Sequence, residues 1–311
     1  MLELVTTRHN PMVDPTLHVW GWEIPVYLFL GGWVAGSMII AGHFARRGRP
    51  PGTGGVASVL PWLSLVLLSL GMGALFLDLE HRLHVWRMYL PFQPASPMSW
   101  GGWILILVYP VLLAGALASI PPDLLSGRPA IAGLAARLRN PVTAGRLGTV
   151  SLIAGVALGI YTGILLSSLG ARPLWSSAAL GPLFLISGLS TGAAFAHLVA
   201  RDPDEQASLL RADNVFLVVE LALIGLILIG LLTASAVHAN AAQLLLGGPY
   251  TAVFWVFVVG LGILLPLTLQ ALMASHRIPH TVIAPLLVIG GGLALRFVIV
   301  SAGQYSHWIT P

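Results

Sequence analysis

A small set of acidic and phenolic residues stands at the ends of long apolar segments, where such side chains could exchange protons with a ligand. Glu23 opens the first apolar segment, Asp78 closes the second, and Tyr161 lies about two turns from the end of the fourth. Ionisable groups inside a membrane are costly and therefore indicate a functional site. Carboxylates and phenols can act as general acids and bases. We predict that Glu23, Tyr161 and Asp78 carry proton chemistry at one membrane surface.

Further polar and aromatic residues fall near the same predicted surface and could hold a ligand beside these three. The candidates for ligand binding are Tyr27, His84, Trp100, Arg296 and Gln304. Each of them, taken singly, is also typical of an interfacial anchor, because Trp and Tyr form belts at membrane surfaces and Arg can extend toward water. The convergence of polar residues from four apolar segments on one surface favours a binding site.

A second group of ionisable residues is predicted nearer the opposite membrane surface. His43 ends the first apolar segment, and Asp213 and Glu220 lie in the sixth. Counted at the helical rise from residue 213, Glu220 is about 10 Å deep, where a charge is costly. Two interpretations remain open at this point. The residues form a proton path, or they make structural hydrogen bonds between helices.

The composition places all these residues in a membrane protein. Of the 311 residues, 57% are hydrophobic and only 8% are charged, whereas about 25% charged is usual for a soluble domain. Long unbroken apolar runs favour α-helices, whose backbone polar groups are satisfied within each span. We predict an all-α integral membrane protein, with eight transmembrane helices in a single bundle that forms one domain over residues 1–311.

Eight apolar segments are long enough to cross a bilayer. The predicted spans are 22–44, 56–78, 101–119, 148–168, 178–199, 213–235, 250–272 and 282–302. The connections after the odd-numbered spans carry ten Arg, against four on the other side, and the positive-inside rule assigns the Arg-rich side to the cytoplasm. Both termini and the connection 79–100 are then predicted to be periplasmic, and the protein to lie in the cytoplasmic (inner) membrane of a bacterium or archaeon.

Two further patterns bear on packing. Glycines four residues apart occur in the first, fourth and fifth spans, which allows helix backbones to approach closely in lipid. The run 290–292 in the last span suits either packing or the passage of a flat ligand. In the connection 120–147, Arg137, Arg139 and Arg146 alternate with apolar residues and predict a short amphipathic helix on the membrane surface.

The histidines and the absence of cysteine bear on cofactors. With no cysteine, the protein cannot hold an iron–sulfur cluster or a metal through thiolates of its own. Two bis-histidine haems would need four paired, inward-facing histidines, and only His43 and His197 approach this arrangement. We predict no haem, iron–sulfur cluster or metal in this chain, and no nucleic-acid partner. Electrons must then pass to or from a docked protein.

The connection 79–100 is polar and rich in aromatic residues and proline, which suits a rigid docking platform. Arg82, Trp86 and Arg87 are its predicted partner-binding residues. The nearby acidic and phenolic residues suit a quinone, which is a flat apolar ring with two carbonyl oxygens. Such a ligand needs hydrogen-bond partners for each oxygen and groups that move two protons per turnover.

The same connection resembles the signature of a known family. The run His84-Val-Trp-Arg-Met-Tyr-Leu-Pro-Phe-Gln-Pro-Ala-Ser-Pro-Met-Ser-Trp-Gly-Gly-Trp103 is similar to that of the NrfD/PsrC family, the quinone-interacting membrane subunits of polysulfide reductase and its relatives. Three other stretches agree with the family: Trp-Gly-Trp-Glu in the first span, Tyr161-Thr-Gly-Ile-Leu-Leu through Trp175, and Leu295-Arg-Phe through Gln304. Together with the eight spans, the resemblance covers nearly the whole chain.

The resemblance implies a menaquinone or ubiquinone site near the periplasmic face. It also implies a ferredoxin-like iron–sulfur subunit docked there, with a molybdenum or tungsten catalytic subunit beyond it. Tyr161 matches a family tyrosine at the quinone, and Arg296 and Gln304 fall within the matching terminal motif. Glu23 falls at or beside a position where the polysulfide reductase type has Asn and His, so this protein offers a carboxylate that can accept a quinol proton.

The prediction for function is a quinone- or quinol-binding membrane anchor subunit of a periplasm-facing respiratory oxidoreductase. It would exchange electrons between the membrane quinone pool and the docked iron–sulfur subunit, with proton translocation left open. Two alternatives also stay open. One is a secondary transporter, in which Arg296 and Glu220 form an intramembrane pair. The other is a structural anchor that does not handle quinone.

Overall fold

The computed structural model describes residues 20–49, 51, 55–79, 81–90, 92–275 and 281–308. Within these ranges, eight helical segments are long and apolar enough to cross a membrane, which confirms the predicted number. The α-helices are α1 (Glu23–Arg46), α2 (Val56–Asp78), α3 (Pro97–Ser119), α4 (Pro129–Arg139), α5 (Pro141–Ser167), α6 (Leu180–Val199), α7 (Pro203–Ala234), α8 (Ala236–Leu246), α9 (Leu265–Ala274) and α10 (Ile283–Gln304). A π-helix, Val253–Leu264, leads directly into α9, and the two form the seventh span. Short 3₁₀ segments cover Arg82–Tyr89, Pro122–Leu125 and Pro173–Trp175.

Two spanning helices begin at least seven residues earlier than their apolar runs predict. α7 starts at Pro203 rather than at 213, and α5 starts at Pro141 rather than at 148. In each case the preceding residue caps the helix, because the side chain of Asp202 accepts from the Asp204 amide and that of Asn140 from the Val142 amide. Proline at the first helical position fits both starts. Hydropathy marks only the apolar part of such a helix, whereas the cap marks its true beginning.

The spanning helices form two groups. The first bundle consists of α1, α2, α3 and α5, which pack on one another around an apolar cluster. The second bundle consists of α6, α7, α10 and the π-helix–α9 segment. α1 also packs against α6 and α10, so it joins the two bundles. Within the first bundle, α2 and α5 pack directly on α1, and α3 packs on α2 and α5.

Glycines set the distance between α1 and its neighbours. A side chain at Gly36 of α1 would clash with the backbone of Gly188 in α6, and one at Gly188 would clash with Gly32. On α5, a Cβ added at Gly155 would lie 2.8 Å from the carbonyl oxygen of Ala35. The close approach predicted from the four-residue spacing is confirmed at these crossings. In the last span, Gly291 packs on the π-helix in the same way, against Gly262.

The two ends of the bundle differ in their connections. We call the end that carries residues 79–96 the hairpin end, and the opposite end the arginine-rich end. α1 begins and α10 ends at the hairpin end, where the amide of Gln304 bonds the backbone N–H and C=O of Trp20 at 2.9 and 3.0 Å. At the arginine-rich end, Arg49 pairs with Asp202 and Glu205, each at 2.8 Å, and so joins two connections.

The connection after α3 contains the predicted surface helix. α4 (Pro129–Arg139) packs on α3 and α5. The Nε of Arg139 donates to the carbonyl of Ala118 at 2.8 Å, and another guanidinium nitrogen donates to Ile120. These bonds satisfy carbonyls that the end of α3 leaves open. Arg146, which was predicted in the same surface helix, lies instead in α5, because Asn140 and Pro141 separate the two helices.

Candidate functional site

Three tyrosines converge in the first bundle near the hairpin end. Tyr27 of α1 and Tyr161 of α5 are buried, with 6% and 5% of their surfaces exposed. Tyr89, the last residue of the first 3₁₀ segment, packs on the apolar cluster of the bundle and lies within electrostatic range of both. Burial raises the pKa of Tyr89, with a smaller contribution from Tyr109, so its hydroxyl stays protonated and can donate. The sequence interpretation included Tyr27 and Tyr161 but missed Tyr89.

A glycine on α3 makes room for the hydroxyl group of Tyr161. The hydroxyl of Tyr161 lies so close to Gly101 that any side chain at that position would clash with the phenol ring. α3 and α5 pack directly on each other. Gly101 therefore determines where the Tyr161 hydroxyl can lie, a role that the sequence interpretation did not assign.

The two buried hydroxyls are available to a ligand. Among the described residues, no protein group forms a hydrogen bond with the side chain of Tyr27 or Tyr161. Neither hydroxyl oxygen is among the fully buried, unpartnered polar atoms of the described residues, so each can be reached by a ligand that enters beside the tyrosines. Two phenols from helices that pack together, each able to donate to a carbonyl oxygen, fit the head group of a quinone.

An acidic pair lies beside the tyrosines at the hairpin end. Glu23 is the first residue of α1 and Asp78 is the last of α2, and the two carboxylates lie within electrostatic range of each other. Both side chains are partly exposed. Tyr27 follows Glu23 by about one helical turn and so lies deeper. The structure thus brings Tyr27 near Tyr161 and Glu23 near Asp78, and both pairs lie toward the hairpin end.

The remaining hairpin residues lie at the surface. Trp86 is 52% exposed, and the guanidinium of Arg87 stands 5.5 Å from the centre of its ring. Arg82 donates to the carbonyl of Leu77 at 2.8 Å, which fixes the 3₁₀ segment to the end of α2. His84 is exposed beside His81, with their ring centres 6.3 Å apart. These positions are those of a surface open to a partner.

Trp100 helps to shape the same surface. Its indole N–H donates to the carbonyl of Pro94 at 2.9 Å, and 40% of its side chain is exposed. The hydroxyl of Ser99 accepts a hydrogen bond from the backbone N–H of Gln93 at 3.0 Å. Both bonds close the segment between the 3₁₀ turn and α3. Trp100 therefore holds the hairpin in its conformation at the position where the sequence interpretation expected a ligand contact.

Gln304 bonds the segment that precedes α1, and its partner Trp20 packs against the apolar cluster that contains Tyr27. Both ends of its amide bond the backbone of Trp20, whose ring stacks on Trp175 with 5.4 Å between centres. The indole of Trp175 donates in turn to the carbonyl of Ile299 at 2.8 Å. In this structure Gln304 fixes the segment before α1 to the end of α10.

Arg296 is buried where α10 meets α6 and α1, with 1% of its surface exposed, and its guanidinium lies against Gly32 of α1. It donates to the hydroxyl of Ser187 and to the carbonyl of Phe184, the latter at 2.9 Å, and its guanidinium lies 4.6 Å from the centre of the Phe184 ring. Glu220 of α7 lies next to Ser187 and within electrostatic range of Arg296. Ser187 therefore lies between a buried cation and a buried carboxyl group.

Asp213 continues this polar group toward the arginine-rich end. Its two carboxylate oxygens accept from Ser190 of α6 and Gln270 of α9, both at 2.6 Å. Asp213 and Glu220 lie on α7 seven residues apart, about 10 Å along the axis. His43 is exposed at the end of α1 beside Arg46 and Arg47, at the surface of the arginine-rich end.

Comparison with known proteins now identifies the family. Residues 7–306 match the family model described as polysulphide reductase, NrfD. The chain belongs to the NrfD family. It is 34% identical over 306 residues to protein NrfD of Escherichia coli (strain K12), a match that covers 92% of this chain and 95% of the relative. It is 28% identical over 305 residues to the C subunit of polysulfide reductase from Wolinella succinogenes, covering 92% and 94%. An NrfD homologue of Haemophilus influenzae is 27% identical, covering 94% and 97%.

The NrfD match spans both bundles, and the structure adds residues that sequence alone did not single out. Tyr89 and Gly101 lie inside the run that carries the family resemblance, so the signal was present but their roles required the fold. Ser187, Ser190 and Gln270 left no comparable signal, because isolated Ser and Gln are common in apolar spans. Among the described residues, no group of three or more His, Asp and Glu could hold a metal ion.

Proposed function

We propose that this NrfD-family protein binds a quinone at the hairpin end of the first bundle and exchanges electrons with a docked iron–sulfur subunit. The observation that carries the proposal is the convergence of two buried phenols without protein partners among the described residues, Tyr27 and Tyr161, beside the acidic pair Glu23 and Asp78. A purely structural anchor does not require hydroxyls with this arrangement. The name of one relative, the C subunit of polysulfide reductase, agrees with membership of a multi-subunit oxidoreductase.

The roles of the residues follow from their depth. Menaquinone or ubiquinone, when bound, supplies a carrier of two electrons and two protons. The hydroxyls of Tyr27 and Tyr161 would hold the carbonyl oxygens of the head group by donating to them. Glu23 and Asp78, nearer the surface, would accept or deliver protons there, since partly exposed carboxylates exchange protons with water. Gly101 positions Tyr161 for this contact.

The hairpin is the proposed docking surface for a ferredoxin-like iron–sulfur subunit, with a molybdenum or tungsten catalytic subunit beyond it. Exposed Trp and Arg side chains such as Trp86 and Arg87 are enriched at protein interfaces. Leu83 and Leu90, which are 87% and 68% exposed, add apolar surface. Tyr89 belongs to the same segment and packs toward the tyrosine cluster, so the docking surface and the ligand site are adjacent.

The excess of arginine at the opposite end supports a periplasmic location for the hairpin end in a bacterial or archaeal inner membrane. Electrons would then enter or leave on the periplasmic side. Under this orientation the buried polar residues of the second bundle, from Asp213 to Arg296, lie between the cytoplasm and the level of the quinone.

That polar group supports a further role in proton translocation. Contacts join Ser190 to Asp213, Asp213 to Glu220, Glu220 to Ser187 and Ser187 to Arg296, by hydrogen bonds or close charge contacts across α6, α7 and α10. Such contacts can relay a proton, and they can equally fix three helices. Glu220→Gln distinguishes the two roles, because it keeps the shape of the side chain and its hydrogen bonds but cannot release a proton.

A binding measurement tests the central proposal. The purified protein in nanodiscs is titrated with a short-chain menaquinone analogue by calorimetry, and wild type is compared with Tyr161→Phe and with Tyr27→Phe. Loss of one neutral hydrogen bond should raise Kd roughly 2- to 12-fold for either variant. Tyr250→Phe serves as the control, since Tyr250 precedes the π-helix and lies against Tyr305. Unchanged affinity in both variants would reject this site.

A second experiment addresses the transporter alternative. Electron transfer to the quinone analogue by the detergent-solubilised complex, where no membrane is present, would exclude a transporter.

A further inference from the structure

The arginine-rich end of the first bundle carries exposed cationic and apolar side chains around one corner of the chain. This corner lies at Asn140 and Pro141, where α4 ends and α5 begins. Because α3 and α5 are both long and apolar enough to span a membrane, the connection between them lies at the level of the membrane surface. Residues 120–147 contain four Arg and one Asp, so the connection is positively charged.

The exposed side chains of α4 divide into an apolar sector and a cationic one. Ala135 is buried and Arg139 bonds the end of α3, so both belong to the face that packs on the protein. At 3.6 residues per turn, Ile131 and Leu134 lie to one side of that face, and they are 39% and 51% exposed. Arg137 is exposed on the side away from the protein, next to the apolar sector. This pattern is typical of a helix that lies in the headgroup layer.

α5 adds an arginine on its lipid-facing side. Val142, Val150 and Ile153 are 63%, 40% and 60% exposed and form one stripe at helical spacing. Arg146 is exposed within that stripe, about one turn from each of the two valines. The opposite side of α5, with glycines such as Gly155, packs on α1. The guanidinium of Arg146 therefore faces lipid rather than protein, and such a side chain extends toward the headgroup layer.

Two of the guanidinium groups at this corner are not used by the protein. Arg137 and Arg146 make no ion pair or hydrogen bond with the described residues, whereas Arg139 bonds the carbonyls of Ala118 and Ile120 and so fixes α4. Arg137 and Arg146 stand within two turns of the corner, one on either side. The positive end of the α5 dipole lies there too. The corner therefore offers two cations at the level of lipid phosphates, next to exposed apolar side chains.

We propose that the corner between α4 and α5 binds an anionic phospholipid of the surrounding membrane. Arg137 and Arg146 donate to its phosphate oxygens, and its acyl chains lie against Leu134 of α4 and Val150 of α5. Guanidinium groups suit this ligand, because their planar donors match the oxygens of a phosphate. The positive charge selects an anionic head group over a zwitterionic one. The site goes beyond the proposed function, because it requires neither the quinone nor the docked subunit.

Native mass spectrometry tests the site. The purified full-length protein in detergent is stripped of lipid and titrated with phosphatidylglycerol or with phosphatidylcholine of the same acyl chains. One arginine near the headgroups strengthens binding of an anionic lipid about fivefold, so the first phosphatidylglycerol should bind about 25-fold more tightly than the first phosphatidylcholine. Arg137→Gln combined with Arg146→Gln should remove that preference. Inorganic phosphate should not displace the lipid, because it has no acyl chains.

A matched variant and a labelling map separate this site from a general effect of positive charge. Arg201→Gln combined with Arg211→Gln removes the same charge from exposed positions of the same end and should keep the preference. Phosphatidylglycerol with a photoreactive diazirine in its acyl chain, in nanodiscs with the wild-type protein, should label peptides that contain residues 131–138 and 142–153, and this map needs no variant to fold. Equal loss of preference in both double variants, no label on these peptides, or displacement of the lipid by inorganic phosphate would overturn the site.

Discussion

The two bundles differ in how their candidate functional groups are bonded, although Arg296 Nε, Gln270 Oε1 and Asn214 Oδ1 of the second bundle also have no partner among the described residues. In the second bundle, Asp213 receives two hydrogen bonds and Arg296 donates to Ser187 and to backbone carbonyls. In the first bundle, the hydroxyls of Tyr27 and Tyr161 have no protein partner among the described residues. Polar side chains inside a membrane protein therefore serve two purposes, helix packing and ligand binding. Hydrogen bonds between helices, such as those that Asp213 accepts, fix the helices together, whereas the tyrosine hydroxyls remain available to a ligand.

The largest effect is expected where the second bundle loses its buried cation. Arg296→Met would leave Glu220 without the positive charge in its surroundings and Ser187 without its donor. Breaking a buried charged pair costs about 3–5 kcal/mol, so thermal denaturation in detergent should show a clearly lower Tm. Arg211→Met is the matched control, because Arg211 is exposed and bonds only its own helix in the described contacts. Equal stability of the two variants would mean that the second bundle does not depend on this network.

A steric change should separate the first bundle from the second. Gly101→Val would force the Tyr161 ring to move, and a displacement of about 1 Å at a reacting group can cost roughly 100-fold in rate. Quinol turnover by the assembled complex should fall by about that factor while the amount of complex stays normal. Gly73→Val on α2 meets open space and should leave turnover unchanged. Full activity in Gly101→Val would show that the position of Tyr161 does not matter.

The hairpin should respond to charge and salt rather than to packing. Replacing Arg82 and Arg87 together by Glu should weaken binding of the iron–sulfur subunit by roughly tenfold at low salt and by less at about 0.5 M salt, because exposed charges are screened. Surface binding kinetics at two ionic strengths measure the effect. Arg128→Glu, at the arginine-rich end, is the control. Identical binding of the double variant and wild type at low salt would remove these arginines from the interface.

The smallest effect on quinol turnover is expected for Glu220→Gln, within about twofold of wild type, because the change retains the hydrogen bonds of the side group. Measuring the membrane potential in sealed vesicles distinguishes a proton relay from a structural role. If the polar group relays protons, this variant loses the membrane potential that turnover generates, whereas a structural role leaves the potential as in wild type.

The sequence predicted the helices better than the contacts between their side chains. Eight spans, the glycine crossings and the surface helix follow from hydropathy, small-residue spacing and amphipathic pattern, which are local properties. The start of α7 at Pro203 was misplaced because a polar first turn hides the helix from a hydropathy window.

The contacts depend on which helices become neighbours. Arg296 was predicted at the ligand site from its distance to the end of its span, and its guanidinium lies between Gly32 of α1 and the α6 residues Phe184 and Ser187, a set of neighbours that hydropathy does not indicate. Gln304 was predicted at a ligand and stays a prediction; the bonds of its amide to Trp20, far away in the sequence, could not be read from the sequence. Depth can be counted along a helix, whereas the direction of a side chain around the helix axis is set by tertiary packing.

The most direct test of the account is quinol turnover by the complex assembled with Tyr161→Phe and with Glu23→Gln. The first change removes one hydroxyl and little volume, and the second removes one ionisable group, so the complex should assemble with each. Loss of an acid or base that takes part in proton transfer lowers the rate by about 100- to 10,000-fold. The account predicts a loss of at least about tenfold for each variant, with Tyr250→Phe at the wild-type rate. Wild-type turnover in both Tyr161→Phe and Glu23→Gln would contradict the placement of the quinone between α1 and α5.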